Sequence, residues 1–550
     1  MTLFKNNMKN FILIPARGGS EMVSRQNLRL VNNKPLLYYT LKTALQSKTA
    51  DIFISTESDE IQEFALDMGV NVIKRPKSLA TNSIGFELIA KHAINYLKKN
   101  GKEYEKCLIL NPVMPLITTN TVKKFFSNLQ KPISCIMGFT ESTDNKRKIS
   151  SKHFLPELKK INENIIDVKK IMGFYCDDFL KRELKIPING LKLNPNESMT
   201  IFNYHDLEIV SKILNQRKIL VRVNGSKDIG LGHVYNMLTI LNYFHNDEIL
   251  VVMNYKKNLG ENKFKMQHYK LKKFSNEKQL NQIIENFKPD IIINDILNTK
   301  KSYIVNLKKK YFVVNFEDLG MGSDYADLVF NPIYQSKVKD SKKFFGSEYA
   351  CVRDEFRILK NKPVRKKVNK ILVTFGGTDP YNITSKILEY VQKLGLQQCA
   401  IVVILGLGNS HIKNIYKIKF KMEKIGYNIK IINDSNLMAK HIRDSDFVIS
   451  GNGRTVFEIV SLNVPMITIS ANDREESHQF SKLTGGAIHL GSYSKLNFKL
   501  FEKSVKKILK YENRMKFSKN LKKHNILNGV NKITSEINHT YEKYSHKKLQ

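Results

Sequence analysis

The sequence is poor in acidic residues, in paired cysteines and in long apolar runs, and each shortage removes a class of function. Its five cysteines, Cys107, Cys135, Cys176, Cys351 and Cys399, lie far apart, with no CxxC spacing and no Cys/His cluster. That pattern supports neither a disulfide framework nor a zinc site and reads as small buried thiols. No apolar run approaches the roughly 20 residues that cross a bilayer, so no membrane span is expected. The opening MTLFKNNMKN lacks the apolar stretch of a secretory signal, and a cytoplasmic location is expected. Aspartate and glutamate total 51 against 90 lysines and arginines, a formal charge of +39. Such an excess attracts polyanions where it is concentrated. Here the lysines run along the whole chain with no arginine-rich block or aromatic-interleaved basic motif, so no nucleic-acid partner is expected.

What the chain does have is enough apolar material, 42% of 550 residues, to give several domains a core. Short β-rich apolar runs alternate with polar or glycine-rich turns and helical patterns, the signature of parallel α/β units. Three blocks emerge. The first contains FILIPA, DIFIS and CLILN and fades near HDLEIVSKIL; it is bounded at residues 1–214. The second, 218–365, opens with KILVRVNG and includes ILVVM, DIIIND and FVVNFED. The third, 366–540, follows the basic linker KNKPVRKKVNK and carries ILVTFGG, AIVVILG, FVISG and PMITIS before a lysine-rich helical tail. The last two blocks are consecutive Rossmann-like halves and predict a two-lobed fold with a ligand cleft between them.

Two segments carry the chemistry. FILIPARGGSEMVSRQN is a strand running into a glycine loop with an arginine, where backbone amides suit phosphate. LVRVNGSKDIGLGHVYNMLTIL places His233 where a helix begins after glycines. A histidine there sits beside an anion site and titrates near neutrality, as general acid or base work requires. Further along, Gly376, Gly377 and Thr378 form a loop after a strand that lets a diphosphate approach the backbone. Gly451, Gly453, Arg454 and Thr455 precede a helix whose N-terminus favours the same anion.

The order of motifs in residues 11–214, IPARGGSEMVSRQN, ISTESDEI, RP with SLATN, and LILNPVMPL, resembles the CMP-sialic acid synthetase family. The resemblance implies a nucleotidyltransferase fold that moves a cytidylyl group from CTP to a nonulosonic acid with Mg2+. It implies CTP contacts at Arg17, Ser20, Asn27, Arg75 and Asn111, and homodimerisation. Several family positions are changed. The two loop lysines fall on Glu21 and Gln26, and the closing DID metal motif falls on Thr200, Ile201 and Phe202, leaving Asp206 downstream. A carboxylate facing a triphosphate repels it, and a hard metal ion loses its carboxylate anchor. Either the domain rebuilt these contacts or it kept the fold for dimerisation, substrate binding or scaffolding.

Residues 218–515, through EYACVRDEF, TFGGTDPYNIT, SGNGRTVFEIVSLNVP and ANDREESHQF, resemble the UDP-sugar hydrolase of pseudaminic acid synthesis and the spore-coat polysaccharide proteins. These share the two-lobed glycosyltransferase B fold. The resemblance implies that His233 is catalytic, that Arg222 and Gly232 belong to its motif, and that Glu458 bonds a nucleotide ribose. It also puts Asp473, Arg474, Glu475 and His478 along the cleft, with no metal or cofactor, and a UDP-amino-sugar as ligand. Asn224, Asn236 and the NDIL segment Asn294–Leu297 depart from the family pattern, and Glu317 with Asp318 keep an acidic pair whose two readings are a sugar contact and a solvated loop. The expected function is therefore bifunctional in type, UDP-sugar hydrolysis joined to a CMP-nonulosonate synthetase-like domain, in surface-glycan synthesis. A UDP-sugar glycosyltransferase and a non-catalytic sugar-nucleotide-binding scaffold are the rival readings.

Overall fold

The computed structural model describes residues 9–20, 22–81, 83–141, 166–181, 188–226, 230–336 and 340–549. The chain divides into two compact units, Met1–Gln216 and Arg217–Gln550.

In the first unit, the strand Asn10–Pro15 lies between the parallel strands Asp51–Thr56 and Lys106–Ile109. Asn71–Lys74 adds a further parallel strand at one edge. On the other side Ile166–Tyr175 runs antiparallel to Lys106–Ile109, and Cys135–Glu141 and Ile188–Lys192 complete a mixed seven-stranded sheet. Successive side chains of a strand point to opposite faces, and the sequence uses both. Ile12, Ile14, Ile52 and Ile54 pack on one face with Leu37, Leu41 and Ala44. Phe11, Leu13 and Phe53 pack on the other with Ala90, Ala93 and Leu97.

The second unit contains two all-parallel sheets. The first runs Lys270–Phe274, Glu248–Asn254, Lys218–Val223, Ile291–Asp295, Phe312–Phe316, Leu328–Asn331, Lys343–Phe345. The second runs Ile429–Asn433, Ala400–Leu405, Lys370–Thr374, Phe447–Gly451, Met466–Ser470, Ala487–Ser492. Parallel strands covered on both faces are largely apolar, and Ile291–Asp295, Phe312–Phe316 and Met466–Ser470 are buried at every residue, with Asn294, Asp295, Asn315, Thr468 and Ser470 as their buried polar positions. Each such isoleucine or phenylalanine contributes about 1.5–3 kcal/mol on burial. In both sheets the chain order reverses at the first strand, Lys218–Val223 and Lys370–Thr374 respectively, and at such a switch point the loops at the strand C-termini leave a crevice.

Two features differ from the sequence expectation. The basic stretch before Lys370 is pinned rather than free, because the fully buried Arg514 donates to the carbonyls of Arg365 and Lys366 at 2.9 Å each. The lysine-rich tail, expected with the third block, returns to the second. Helix Gly529–Leu549 buries Val530, Ile533 and Ile537 in the core of Ile219, Val221 and Phe312. Its entry needs glycine, since a Cβ on Gly529 would stand 2.1 Å from the Ala350 carbonyl oxygen.

Candidate active site

The two switch points of the second unit face one cavity of about 370 Å³. The first lobe contributes the start of helix Gly232–Leu241 together with Leu297; the second contributes the loops after Lys370–Thr374, Phe447–Gly451 and Met466–Ser470.

His233 is the second residue of its helix and is 1% exposed. Its Nδ1 pairs with Oδ1 of Asp295, the last residue of strand Ile291–Asp295, and Asn236 Nδ2 donates to Oδ2 of the same carboxylate at 2.9 Å. Burial opposes ionisation of Asp295, but His233, Arg454 and the hydrogen bonds outweigh it and hold the carboxyl below its usual range. The carboxylate therefore accepts the Nδ1 proton. Burial pushes the His233 pKa down to about 4, with Arg454 and Arg474 adding to the fall and Asp295 opposing it. The imidazole is thus neutral at pH 7, and the Nε2 lone pair is buried with no hydrogen-bond partner among the described residues. A neutral imidazole fixed at Nδ1 and open at Nε2 is a general base in waiting.

Beside this pair stand two arginines from the second lobe. Arg454 Nη2 is 3.1 Å from His233 Nδ1 and 3.6 Å from Asp295 Oδ1. Arg454 Nε donates to Glu317 Oε1 at 2.6 Å, and Arg474 pairs with Glu317 Oε2. Gly232 makes room for this crossing, because a Cβ there would meet Arg454 Nη1 at 2.8 Å. Two non-glycine residues of the first lobe stand in the left-handed region near the site, Leu297 with φ 69° and Glu317 with φ 52°. Such conformations persist only where the surroundings impose them, commonly at functional sites.

Gly376, Gly377, Thr378, Gly453, Thr455 and Glu458 line the same cavity. The glycine loop is closely packed: a Cβ on the adjoining Gly406 would fall 2.4 Å from the Gly377 backbone. Asp379 accepts from the amides of Ile383 and Thr384 at 2.8 and 3.0 Å and so caps helix Ile383–Lys393 from the cavity wall. Glu458 Oε1 accepts from Arg353 Nε at 2.7 Å.

Three expected residues lie off the cavity. Arg222 shares the parity of Leu220 on its strand and so points to the opposite sheet face from Val221, Val223 and helix Gly232–Leu241. There its guanidinium stacks 4.7 Å from the Tyr303 ring centre and pairs with Glu277 at 3.1 Å. Asp473 is exposed in the first turn of helix Asp473–Ser477. His478 is fully buried; its Nδ1 is 2.8 Å from the Asn452 carbonyl, and Asn452 Nδ2 donates back to the His478 carbonyl at 3.0 Å. It braces the loop that presents Arg454. Asp295, Arg353 and Asp379 were not among the expected site residues, and Glu317 was expected as half of an acidic pair, with a sugar or solvent rather than arginines as its partner. The signal for Asp295 was a carboxylate ending an apolar strand, IIIND, one strand away from the glycine loop.

In the first unit the loop after Asn10–Pro15 bonds several of its polar groups internally, while Asn27 Oδ1 is buried without a partner. Asn27 Nδ2 donates to the Arg17 carbonyl at 2.9 Å, and Ser20 Oγ donates to Gln26 Oε1 at 3.0 Å. Gln26 Nε2 donates to the Ile201 carbonyl at 2.8 Å. Arg75, whose side chain is 2% exposed, is paired with Glu57 at 2.9 Å, and Glu57 also takes the Gly18 amide at 2.7 Å. Asn111 is buried and accepts from Val113 at 3.3 Å. Arg17 is half-buried. Glu21 lies outside the described residues. Asp206 caps helix Tyr204–Leu214, accepting from Phe202 and Asn203 at 2.8 and 3.2 Å. Among the described residues no group of three or more acidic, histidine or cysteine side chains is placed to hold a metal ion. With a threonine, an isoleucine and a phenylalanine at the expected carboxylate motif, the donor set does not fit Mg2+.

Residues 11–149 match the cytidylyltransferase family, and residues 371–537 match the glycosyltransferase family 28 C-terminal domain. The chain joins domains of these two kinds. Both resemblances read from the motifs are therefore borne out, as is the α/β class. An uncharacterized protein of Methanocaldococcus jannaschii is 30% identical over 278 residues, which cover 46% of this chain and 56% of the relative. Pseudaminic acid cytidylyltransferase of Campylobacter jejuni is 34% identical over 130 residues, 22% of this chain and 56% of that enzyme. Spore coat polysaccharide biosynthesis protein SpsG of Bacillus subtilis is 24% identical over 198 residues, 34% of this chain and 57% of that protein. The chain thus spans little more than half the length of each of these relatives. Among the described residues no helix is long and apolar enough to cross a membrane.

Proposed function

We propose that residues 217–550 bind a UDP-amino-sugar in the inter-lobe cavity and hydrolyse it to UDP and the free sugar. The observation that carries this reading is the unpartnered Nε2 of His233, in the wall of a cavity whose opposite lobe presents glycine loops and two arginines. In the reaction a water oxygen bonds the anomeric carbon as the bond from that carbon to the β-phosphate oxygen breaks. The electron pair leaves with UDP, and the water proton passes to His233 Nε2. Asp295 stabilises the imidazolium so formed, while Arg454 and Arg474 favour charge developing on the diphosphate. UDP is a good leaving group, so positioning and charge complementarity supply most of the rate. An incoming diphosphate also offsets the two arginines that depress His233, which raises its basicity when it is needed.

The names of the relatives, a pseudaminic acid cytidylyltransferase and a spore coat polysaccharide biosynthesis protein, support a place in surface-glycan precursor synthesis. For the first unit we infer impaired or absent cytidylyl transfer, because Ser20, Asn27, Arg75 and Asn111, four of the five residues matched to CTP contacts, make internal bonds and the donor set does not fit Mg2+. The deciding experiment follows UDP release from UDP-2,4-diacetamido-2,4,6-trideoxyhexoses without acceptor. Release lost in His233→Ala, with UDP binding retained, is the expected result. Release that appears only when a sugar acceptor is added would replace hydrolysis by glycosyl transfer. UDP binding with no turnover under either condition would leave a binding module.

A further inference from the structure

Arg454 and Arg474 are the cations nearest the His233–Asp295 pair, and both are already engaged by one carboxylate of the other lobe. That carboxylate, Glu317, has a fully buried side chain and takes one guanidinium on each oxygen. Its place in the chain is fixed from both sides. The strand Phe312–Phe316 precedes it, and Asp318 is held by the Thr299 amide and the Asn315 side chain at 2.9 and 2.7 Å. A carboxylate paired with two guanidinium groups, hydrogen-bonded to Arg454 and ion-paired with Arg474, offers the negative charge that two neighbouring phosphate oxygens would offer. The two anions compete for one pair of cations. Were Glu317 to keep both arginines while a diphosphate entered, Glu317, Asp295 and the ligand would share two positive charges in a site shielded from water.

We propose that Glu317 is an internal stand-in for the ligand's diphosphate, and that an anionic ligand binds by taking Arg454 and Arg474 from it. The inference rests on the reading that this cavity receives a nucleoside diphosphate sugar. Glu317 holds the arginines in place before the ligand arrives and sets how tightly any anion binds. Ligand affinity is reduced by the fraction of time the arginines remain on Glu317. The carboxylate also joins the lobes, since it stands on the first and its partners on the second; anion binding therefore releases one of the ties across the cavity. The ion pair between Lys263 and Asp434 at 2.7 Å is another such tie, and it does not involve the arginines.

The test is calorimetric titration of the full chain with UDP, inorganic pyrophosphate and uridine, in wild type and Glu317→Gln, with thermal unfolding to verify the fold. Glu317→Gln keeps the shape and removes the charge. UDP and pyrophosphate are expected to bind about tenfold more tightly to it, with uridine unchanged. Glu317→Asp, whose shorter side chain withdraws from the arginines, is expected to fall between the two and serves if the glutamine variant does not fold. Wild type that binds UDP, with no gain or a loss in both variants, overturns the exchange and leaves the functional reading intact. An equal gain for uridine overturns it too, since a general opening of the cleft would then be the cause. If neither wild type nor variant binds UDP or pyrophosphate, the functional reading falls and the exchange with it.

Discussion

Both units of this chain place a glycine-bearing loop at the C-terminal end of a central parallel strand, and the two loops use their polar groups in opposite ways. In the first unit Ser20, Gln26, Glu57 and Arg75 satisfy one another or nearby backbone, and Asn27 donates to the Arg17 carbonyl while its buried Oδ1 has no partner. In the second, the His233–Asp295 pair is satisfied at Nδ1 and leaves Nε2 open in a cavity wall. A buried polar atom without a partner costs about 1–3 kcal/mol, so a fold keeps one only where something else is gained. What sets His233 apart from the orphaned Asn27 Oδ1 of the first unit is its place in the wall of the inter-lobe cavity, and the chemistry proposed for the second unit rests on that.

The comparison breaks first at His233. His233→Ala should lower UDP release by 10²–10⁴-fold with little change in UDP affinity, measured by product formation and calorimetry. Asp295→Asn, which no longer fixes the Nδ1 proton or stabilises the imidazolium, should cost on the order of a hundredfold in kcat. If Asp295→Asn were as active as wild type, the histidine would not be working through this pair. Next in size is the first unit's own buried ion pair. Glu57→Ala leaves Arg75 charged and unpaired in the interior, which should destabilise that unit by about 3–5 kcal/mol in urea unfolding while UDP release continues at the wild-type rate. Loss of UDP release in that variant would mean that the units depend on each other for activity.

Acid should separate the units as well. His233 and His478 are both held by burial to a pKa of about 4, below the 6.5 they have when unfolded. Between these values the unfolded chain binds more protons than the folded one, so stability rises with pH across that window. Each histidine accounts for roughly 3 kcal/mol that is present above pH 6.5 and lost as the pH falls to 4. Unfolding of the second unit, followed by urea titration at successive pH values, should therefore weaken through this range. Replacing His478 by asparagine should remove part of the slope.

How much of this was legible follows from what kind of signal each residue leaves. The strands FILIPA, KILVRVNG, DIIIND and ILVTFGG could be read because a parallel strand buried on both faces is a mostly apolar run rather than an alternating one. His233 and the glycine loops were legible because they follow such runs directly. Asp295 was not among the expected site residues and Glu317 was noted without its arginine partners, since each acquires its role from a residue far along the chain: 62 residues away for His233 with Asp295, and 137 for Arg454 with Glu317. Arg222 misled because its motif matched while its parity on the strand turned it to the other face. His478 misled for a related reason: it lies in a polar segment that feeds a helix, but its side chain is buried and bonds the Asn452 carbonyl instead of facing the cavity. The tail helix could not be placed from sequence at all, because its amphipathic stripe says that it covers something apolar but not which lobe.

The smallest effect is the sharpest test of the first unit. Gln26 stands where the resembling family has a lysine, and its side-chain amide accepts from Ser20 and donates to the Ile201 carbonyl, holding the loop to the segment at the expected metal motif. Gln26→Lys puts the missing cation back and removes the acceptor for Ser20, at a cost of about 1 kcal/mol in the stability of that unit. If loss of charge were the only change in this loop, the variant would bind CTP. We expect no binding in a CTP titration with Mg2+ present. The lysine would restore one contact, but Arg75 would remain on Glu57, Asn27 would remain on the Arg17 carbonyl, and Thr200, Ile201 and Phe202 would still offer the metal no carboxylate. Binding at submillimolar CTP would show instead that the internal bonds yield to nucleotide, and the contrast between the two loops would then be one of charge alone.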